Sequence, residues 1–155
     1  YYLRSLEDYL DIRLYEVLRE EMSGVYGVGA SCSMSRIPYQ HYTITFKIPC
    51  SPANTDSLVK EAFHIVDLVK QNGIDSSYMV KIKETQLREL EVSEKINSFW
   101  LSYIENSMLY GDDIKRILNK KADIEKLSSS DIQHITKRVF KPEYIRVTLY
   151  PEKKE

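Results

Sequence analysis

The sequence predicts an α+β fold in which helices pack on one face of an antiparallel sheet. Three observations indicate this: apolar residues at helical spacing near the N-terminus, two alternating segments after them, and a run of helical patterns before a last alternating segment. Strands grouped beside grouped helices are typical of this class. Because three strands make a thin sheet, we expect the opening strand or strands to lie upstream of Tyr1. The whole chain, 1–155, is predicted to be a single, N-terminally truncated domain.

The first predicted helix and hairpin occupy the N-terminal third of the chain. The helix runs from about Leu3 to Met22, and Gly24 ends it. Its apolar stripe comprises Leu3, Leu6, Leu10, Leu14, Val17 and Leu18. Two alternating segments, 26–35 and 42–48, are predicted to pair as an antiparallel hairpin with its turn near Pro38. One hairpin face is apolar, and the other carries Ser, Thr and Gly, which suits a peptide or a chamber wall.

Helical patterns fill the middle of the chain. One helix begins at Asn54 or Thr55 and ends at Gly73, and a long polar helix begins at Asp75. The core stripe of the first is Leu58, Ala62, Phe63, Val66 and Val69. An aromatic stretch closed by Gly111 follows the polar helix, and its large side chains are predicted to be core: Phe99, Trp100, Tyr103 and Ile104.

Three further elements complete the prediction. A short helix runs from Asp113 to Lys120, and a last helix is capped within 128–131. The inward residues of that last helix are Ile132, Ile135 and Val139. Residues 144–150 then form a closing strand with Ile145, Val147 and Leu149 on one side.

The charge balance argues against nucleic acid as the main partner, and the hydropathy argues against a membrane-spanning segment. With 22 basic and 23 acidic side chains, the chain lacks the concentrated positive charge that nucleic acid binding needs. The lysine pairs Lys120-Lys121 and Lys153-Lys154 sit beside acids and are predicted to be solvated surface. No apolar run approaches the ~20 residues of a membrane span. The chain begins at Tyr1 without an initiator methionine, so we expect it to be part of a longer protein.

The two cysteines are predicted to stay unpaired. In the hairpin register, Cys32 faces about position 44 and Cys50 about position 26. Their sulfurs would then be too far apart for a disulfide, which needs Cα atoms within about 7 Å. We therefore expect each cysteine to be a small buried apolar residue, and not half of a disulfide or one of a pair of metal ligands.

Familiar catalytic motifs are missing from the sequence. His41, His64 and His134 lie on separate elements, and none belongs to an HExxH or HxxEH arrangement that binds zinc. The sequence also has no phosphate-binding Gly-Lys-Ser/Thr loop, no GxGxxG and no GxSxG elbow. We therefore expect no self-sufficient catalytic centre and no metal or cofactor site in this chain.

Arg19 and Tyr26 are the candidate functional pair. At about 100° per residue, Arg19 lies roughly opposite Leu10, on the polar side of the helix stripe. Tyr26 follows through a short turn, so a guanidinium and a phenol are held on two ordered elements. Two such donors can bind a carbonyl or an oxyanion. The alternative is an ordinary surface arginine and a half-buried strand tyrosine, and strict alternation places Tyr26 on the apolar face.

The sequence resembles the insulinase/pitrilysin family of zinc metallopeptidases, of the inverzincin type. The resemblance is to the C-terminal half and covers about 3–152; its most specific part is LREEMSGVYGVGASCS, 18–33. It implies the metallohydrolase fold of LuxS and the mitochondrial processing peptidase, with several such domains enclosing a substrate chamber. It also implies that the chain begins after the strand that opens the domain.

The resemblance implies that two domains of the parent protein have different roles. An N-terminal domain, absent here, holds zinc through HxxEH and a later Glu, with the motif Glu as general base. The C-terminal domain contributes an Arg and a Tyr, at the spacing of Arg19 and Tyr26, that contact the bound peptide near the scissile carbonyl. The implied partners are therefore a peptide substrate and that zinc domain.

Two alternatives and two further expectations stay open. The same fold serves as a non-catalytic structural or assembly subunit in some relatives, and an unrelated α+β binding module would require the match at 18–33 to be coincidence. An open sheet edge can pair with a second copy to give a homodimer. Bacterial family members are often associated with the cell envelope, which suggests that compartment by analogy only.

Overall fold

The computed structural model describes residues 1–152, so the predicted surface pair Lys153-Lys154 lies outside the described residues. The described residues form six α-helices and two β-strands: α1 (Tyr2–Leu14), β1 (Gly29–Ser35), β2 (His41–Lys47), α2 (Thr55–Asn72), α3 (Ser76–Ser93), α4 (Asn97–Tyr110), α5 (Lys120–Lys126) and α6 (Ser129–Val139). A π-helical segment and two 3₁₀ turns connect them: Tyr15–Glu21, Pro52–Asn54 and Ile114–Asn119.

The hairpin register agrees with the prediction. β1 and β2 pair antiparallel with Cys32 opposite Ile44, and an isolated bridge between Val25 and Cys50 extends the pairing beyond the strands. Ala30 and Ile44 pack against the helical core, whereas the Ser and Thr side chains of the opposite face are exposed. The chain is thus an α+β domain with helices on one face of an antiparallel sheet, as predicted.

The core is built mainly from α1, α2 and α6. Its fully buried large side chains include Leu6, Leu10, Leu14, Leu18, Leu58, Val66, Val69 and Ile132. α1 supplies the centre because it contacts β1 on one side and the helices α2, α3 and α6 on the other. The cap predicted for the last helix is confirmed and takes the form of a capping box, since Ser128 Oγ accepts from the Asp131 N–H and the Asp131 carboxylate accepts from the Ser128 N–H.

The first helix differs from its prediction in winding and in its ending. The α-helix stops at Leu14 and the next seven residues, Tyr15–Glu21, are π-helical. The left-handed residue that ends the helix is Ser23, with φ of 51°, and not Gly24. Gly24 is required for a different reason: a Cβ there would lie 2.7 Å from Cδ2 of the buried Leu58.

The predicted closing strand is wrong. Residues 144–150 form no ladder with β1 or β2, and within residues 1–152 the sheet has two strands. The segment is held instead by side chains: the Tyr144 ring stacks on Phe63 at 4.4 Å between centroids, and Arg146 pairs with Asp56 at 2.6 Å. Ile145, Val147 and Leu149 remain 93, 80 and 92% exposed. An alternating pattern needs a neighbouring strand to supply hydrogen bonds, and the described chain places none beside it.

The predicted core of the aromatic stretch is also wrong. On α4, which is described in full, Ser107 is the buried residue, while Trp100 and Ile104 are exposed and Phe99 and Tyr103 half-buried. The inward side of this helix packs on the 3₁₀ turn Ile114–Asn119. That turn is too small to cover a helix that is apolar on several sides.

The dimer expected through an open sheet edge stays a prediction. One donor on the outer edge of β1 is already used, because the Ala30 N–H donates to Asp11 Oδ1 at 3.0 Å. A carboxylate placed against a strand edge in this way reduces the tendency of that edge to pair with another chain.

Both cysteines are free and half-buried, as expected. Burial raises the pKa of the Cys32 thiol to about 12, and the nearby Glu7 and Asp8 carboxylates add to the effect. Burial and the neighbouring carboxylates both raise the pKa, because each disfavours the thiolate.

Alkylation of Cys32 is therefore expected to be slow. In a Cys50→Ser variant at pH 8.5, we expect iodoacetamide to react at least about a hundredfold more slowly than with a small free thiol, because the thiolate is the nucleophile. The rate should rise on denaturation in urea, which removes the burial. A native rate equal to that of the free thiol would contradict this environment for Cys32.

Candidate functional site

Arg19 lies on the π-helical segment, on the side away from the core. The segment is anchored by Val17 and Leu18, which are both buried. Arg19 is exposed, in agreement with its predicted place on the polar side of the apolar stripe. Its guanidinium carbon lies 4.6 Å from the centroid of the Tyr15 ring.

A tight, hydrogen-bonded turn connects Arg19 to Tyr26. The Met22 N–H donates to the Val17 carbonyl at 2.9 Å, and the Gly24 N–H donates to the Leu18 carbonyl at 3.0 Å. The Val25–Cys50 bridge then fixes the chain immediately before Tyr26. The backbone on both sides of the turn is thus tied to buried structure, which restricts the directions that the two side chains can take.

Tyr26 is presented to solvent and not to the core. Strict alternation would place it on the apolar face, but β1 begins at Gly29 and the alternation does not reach back to Tyr26. The Tyr26 side chain is 98% exposed. It lines an open groove of about 700 Å³ whose other walls are Ser23, Gly24, Val25, Pro49, Cys50, Ser51 and Asn54.

The structure places the two predicted residues on consecutive segments but gives them different surroundings. Tyr26 belongs to the groove wall, whereas Arg19 is not among the residues that line it. Both side chains are exposed. A peptide lying across the turn at Ser23 could therefore receive hydrogen bonds from a phenol and a guanidinium.

Three side chains brace the start of the π-helical segment. Arg13 pairs with Glu16 at 3.0 Å, and the Tyr78 hydroxyl of α3 donates to the same carboxylate. Partial burial raises the pKa of the Glu16 carboxyl, but the hydrogen bonds from Tyr78 and Arg13 outweigh that effect and hold the pKa below its usual value. This network ties the segment to α3 through its charged side.

The described residues offer no ligand set that fits a zinc ion. Within residues 1–152, no three His, Cys, Asp or Glu side chains come together as they would around a metal. The three histidines lie exposed on β2, α2 and α6. None of the helices described for this range combines the length and apolar character of a bilayer span.

Sequence reasoning missed two parts of this region. The sequence pattern at 49–54 predicts only a strand end and a helix cap, whereas in the structure residues of this segment line the groove. Its two prolines indicate a stiff, irregular segment. Tyr15 was also missed. Its position four residues before Arg19 was the available signal, because such a pair meets on a helix surface.

One family profile matches the sequence over residues 4–86, and the family is described as the peptidase M16 inactive domain. The match contains Arg19, Tyr26 and both strands of the hairpin. It covers more than half of the chain and confirms the resemblance to the insulinase family. None of the curated proteins matches the sequence significantly.

Three solved structures share the fold. The periplasmic protease PqqL from Escherichia coli has a TM-score of 0.74 and 18% identity, over 88% of this chain and 15% of PqqL. A protease from Helicobacter pylori has a TM-score of 0.69 and 14% identity, over 86% of this chain and 33% of that protein. The peptidase M16 inactive domain from Pseudomonas fluorescens has the same TM-score and identity, over 83% and 30%. This chain therefore spans a third or less of each relative.

Proposed function

This chain belongs to the peptidase M16 inactive-domain family, and we propose that it binds substrate for a zinc-dependent endopeptidase. In this proposal the zinc ion and its general base lie in an N-terminal domain of the same parent protein, and they perform the hydrolysis. The contribution of this chain is to bind the peptide and stabilise negative charge that develops on its scissile carbonyl. Arg19 and Tyr26 are the residues assigned to that role.

The observation that supports the proposal most strongly is the exposure of Tyr26. A phenol that is 98% exposed contributes almost nothing to the core, yet its backbone is held by the Val25–Cys50 bridge. It stands on the wall of a groove large enough for several side chains of a peptide. The hydrogen-bonded turn at 22–24 connects it to Arg19, the second donor.

The two donors have complementary chemistry. The guanidinium of Arg19 is a cation with several N–H donors, so it attracts a carbonyl oxygen more strongly as negative charge develops on it. The phenolic O–H of Tyr26 adds a directional hydrogen bond. Donors that are already oriented need no reorganisation during the reaction, and removing one typically costs about 3 kcal/mol of transition-state stabilisation.

The test is the turnover of the full-length zinc protein. We expect Arg19→Ala and Tyr26→Phe each to lower kcat/KM about a hundredfold for a quenched fluorescent peptide that the wild type cleaves. Matched controls are Arg4→Ala, which removes an exposed ion pair with Glu89, and Tyr2→Phe at the far end of α1. Both controls should keep wild-type kcat/KM. Unchanged values in both Arg19→Ala and Tyr26→Phe would refute the assignment.

A second candidate is a non-catalytic structural or assembly subunit of the same superfamily. The description of the matched family as an inactive domain agrees with this candidate as well as with the first. The two candidates differ in the rest of the parent protein. An intact HxxEH motif with its later Glu, and zinc at one equivalent per chain by metal analysis, would favour the peptidase; a degenerate motif without zinc would favour the subunit.

A further inference from the structure

The Tyr15 ring lies beneath the guanidinium of Arg19. The distance of 4.6 Å from the guanidinium carbon to the ring centroid is well inside the range of about 6 Å over which a cation is attracted to an aromatic face. Tyr15 is 37% exposed and Arg19 is exposed, so the pair lies at the surface with the ring as its inner layer. The ring therefore contacts the guanidinium from one side.

Residues four apart are neighbours on any helix surface, and the π-helical winding aligns these two more directly. In a π-helix the hydrogen bonds run from residue i to residue i+5, so one turn takes more residues than the 3.6 of an α-helix. Residue i+4 then lies almost directly above residue i, whereas in an α-helix it is displaced by about 40°. The segment Tyr15–Glu21 thus places Arg19 over Tyr15 and gives it a direction that a continuous α-helix would not.

The anchoring of the segment does not depend on Tyr15. Val17 and Leu18 are buried in the core, and Glu16 is held by Arg13 and Tyr78. These contacts keep the π-helical backbone in place from the opposite side. The Tyr15 ring is therefore free to act on its neighbour and is not needed to close the core.

We propose that Tyr15 is a positioning residue, which holds the Arg19 guanidinium in the orientation that binds the peptide. The proposal rests on the proposed function of Arg19. An arginine side chain loses much rotational freedom when it binds a ligand, and a ring that already restrains it reduces that loss. Local π-helical turns occur frequently at functional sites, which agrees with a winding that orients one functional side chain.

The experiment compares two substitutions of Tyr15 in the full-length zinc protein with the same quenched fluorescent peptide. Tyr15→Leu removes the aromatic face, and we expect kcat/KM to fall about fivefold, the size of an exposed cation–aromatic contact. Tyr15→Phe keeps the face and should restore kcat/KM to within twofold of wild type. Tyr110→Leu is the matched control, because it removes a similar contact with Arg36, at 4.9 Å, outside the groove, and should change nothing.

Combination with Arg19→Ala separates positioning from a general structural effect. If Tyr15 acts through Arg19, then Tyr15→Leu causes no additional loss once Arg19 is alanine. An equal loss in both backgrounds, or no loss from Tyr15→Leu in a protein that does need Arg19, would overturn the positioning role alone. No loss from Arg19→Ala itself would overturn the role of Arg19 and this inference together, and the proposed function as a whole fails if Tyr26→Phe is also without effect.

Discussion

A Leu10→Ala variant of this chain is expected to lose about 3 kcal/mol of its free energy of unfolding. Leu10 is fully buried at the centre of α1, the helix that contacts β1, α2, α3 and α6. Removing a large aliphatic side chain from such a site costs its transfer free energy and leaves a cavity that four packed elements cannot fill. Urea denaturation of the 155-residue chain measures the change directly.

Leu101→Ala on α4 is the matched control for this prediction. The same atoms are removed from a side chain that is 59% exposed, so the free energy of unfolding should change by about 0.5 kcal/mol or less. The comparison also tests the corrected position of the aromatic stretch. Equal losses at Leu10 and Leu101 would mean that α4 is buried in solution and that the described packing is wrong.

A Gly73→Ala variant is expected to lose about 3 kcal/mol. Gly73 has φ of 74° and ψ of −151°, a conformation essentially restricted to glycine. A Cβ at this position would overlap Ser129 Oγ. That hydroxyl accepts from the Ile74 N–H at 2.8 Å and donates to the Ile74 carbonyl at 2.7 Å, so displacing it breaks the link between the α2–α3 loop and α6. Backbone strain and lost hydrogen bonds should therefore add.

Gly111→Ala is the comparison at a left-handed position with a smaller backbone cost, since its ψ is 26°. Gly111 also has a positive φ, 68°, but no atom in the described part of the chain lies within 4 Å of the Cβ that alanine would add. Only the backbone penalty of about 1 kcal/mol should remain. Thermal or urea unfolding of both variants gives the comparison, and a Gly73→Ala loss no larger than that of Gly111→Ala would contradict both the greater backbone strain at Gly73 and the contribution of the Ser129 link.

The N-terminal helix and hairpin show how far periodicity reaches. The leucine stripe predicted the buried face of α1 correctly, because burying that stripe dominates the local energetics. The alternation and the turn predicted Cys32 opposite Ile44, because a one-residue slip would expose the apolar face. The π-helical winding of Tyr15–Glu21 could not be predicted in this way, since counting at 3.6 residues per turn already assumes an α-helix.

Residues 144–150 and α4 show where periodicity fails. In both segments the side-chain pattern predicts that one face is buried, yet burial depends on whether another element lies opposite that face. No strand of the described chain pairs with Ile145, Val147 and Leu149, and no large element covers Trp100 and Ile104. A pattern in the sequence defines an apolar face, but it does not supply the surface that covers it.

The sequence proposes the two candidate residues but does not determine the direction of the Tyr26 side chain. The resemblance at 18–33 selected Arg19 and Tyr26, and the helical wheel placed Arg19 on the polar side. The direction of Tyr26 depended on where β1 begins, at Gly29, which is a boundary that alternation alone locates poorly. The role of the two residues in binding a peptide stays a proposal.

A double-mutant cycle on kcat/KM tests most directly whether Arg19 and Tyr26 act on the same bound peptide group. Residues that share a partner are coupled, so the Arg19→Ala/Tyr26→Phe double variant should lose at least about threefold less than the product of the two single losses. The measurement needs the full-length zinc protein, the two single variants and one cleaved peptide. Two single losses that multiply fully in the double variant would contradict a shared site, and no loss in either single variant would contradict the proposed function as a whole.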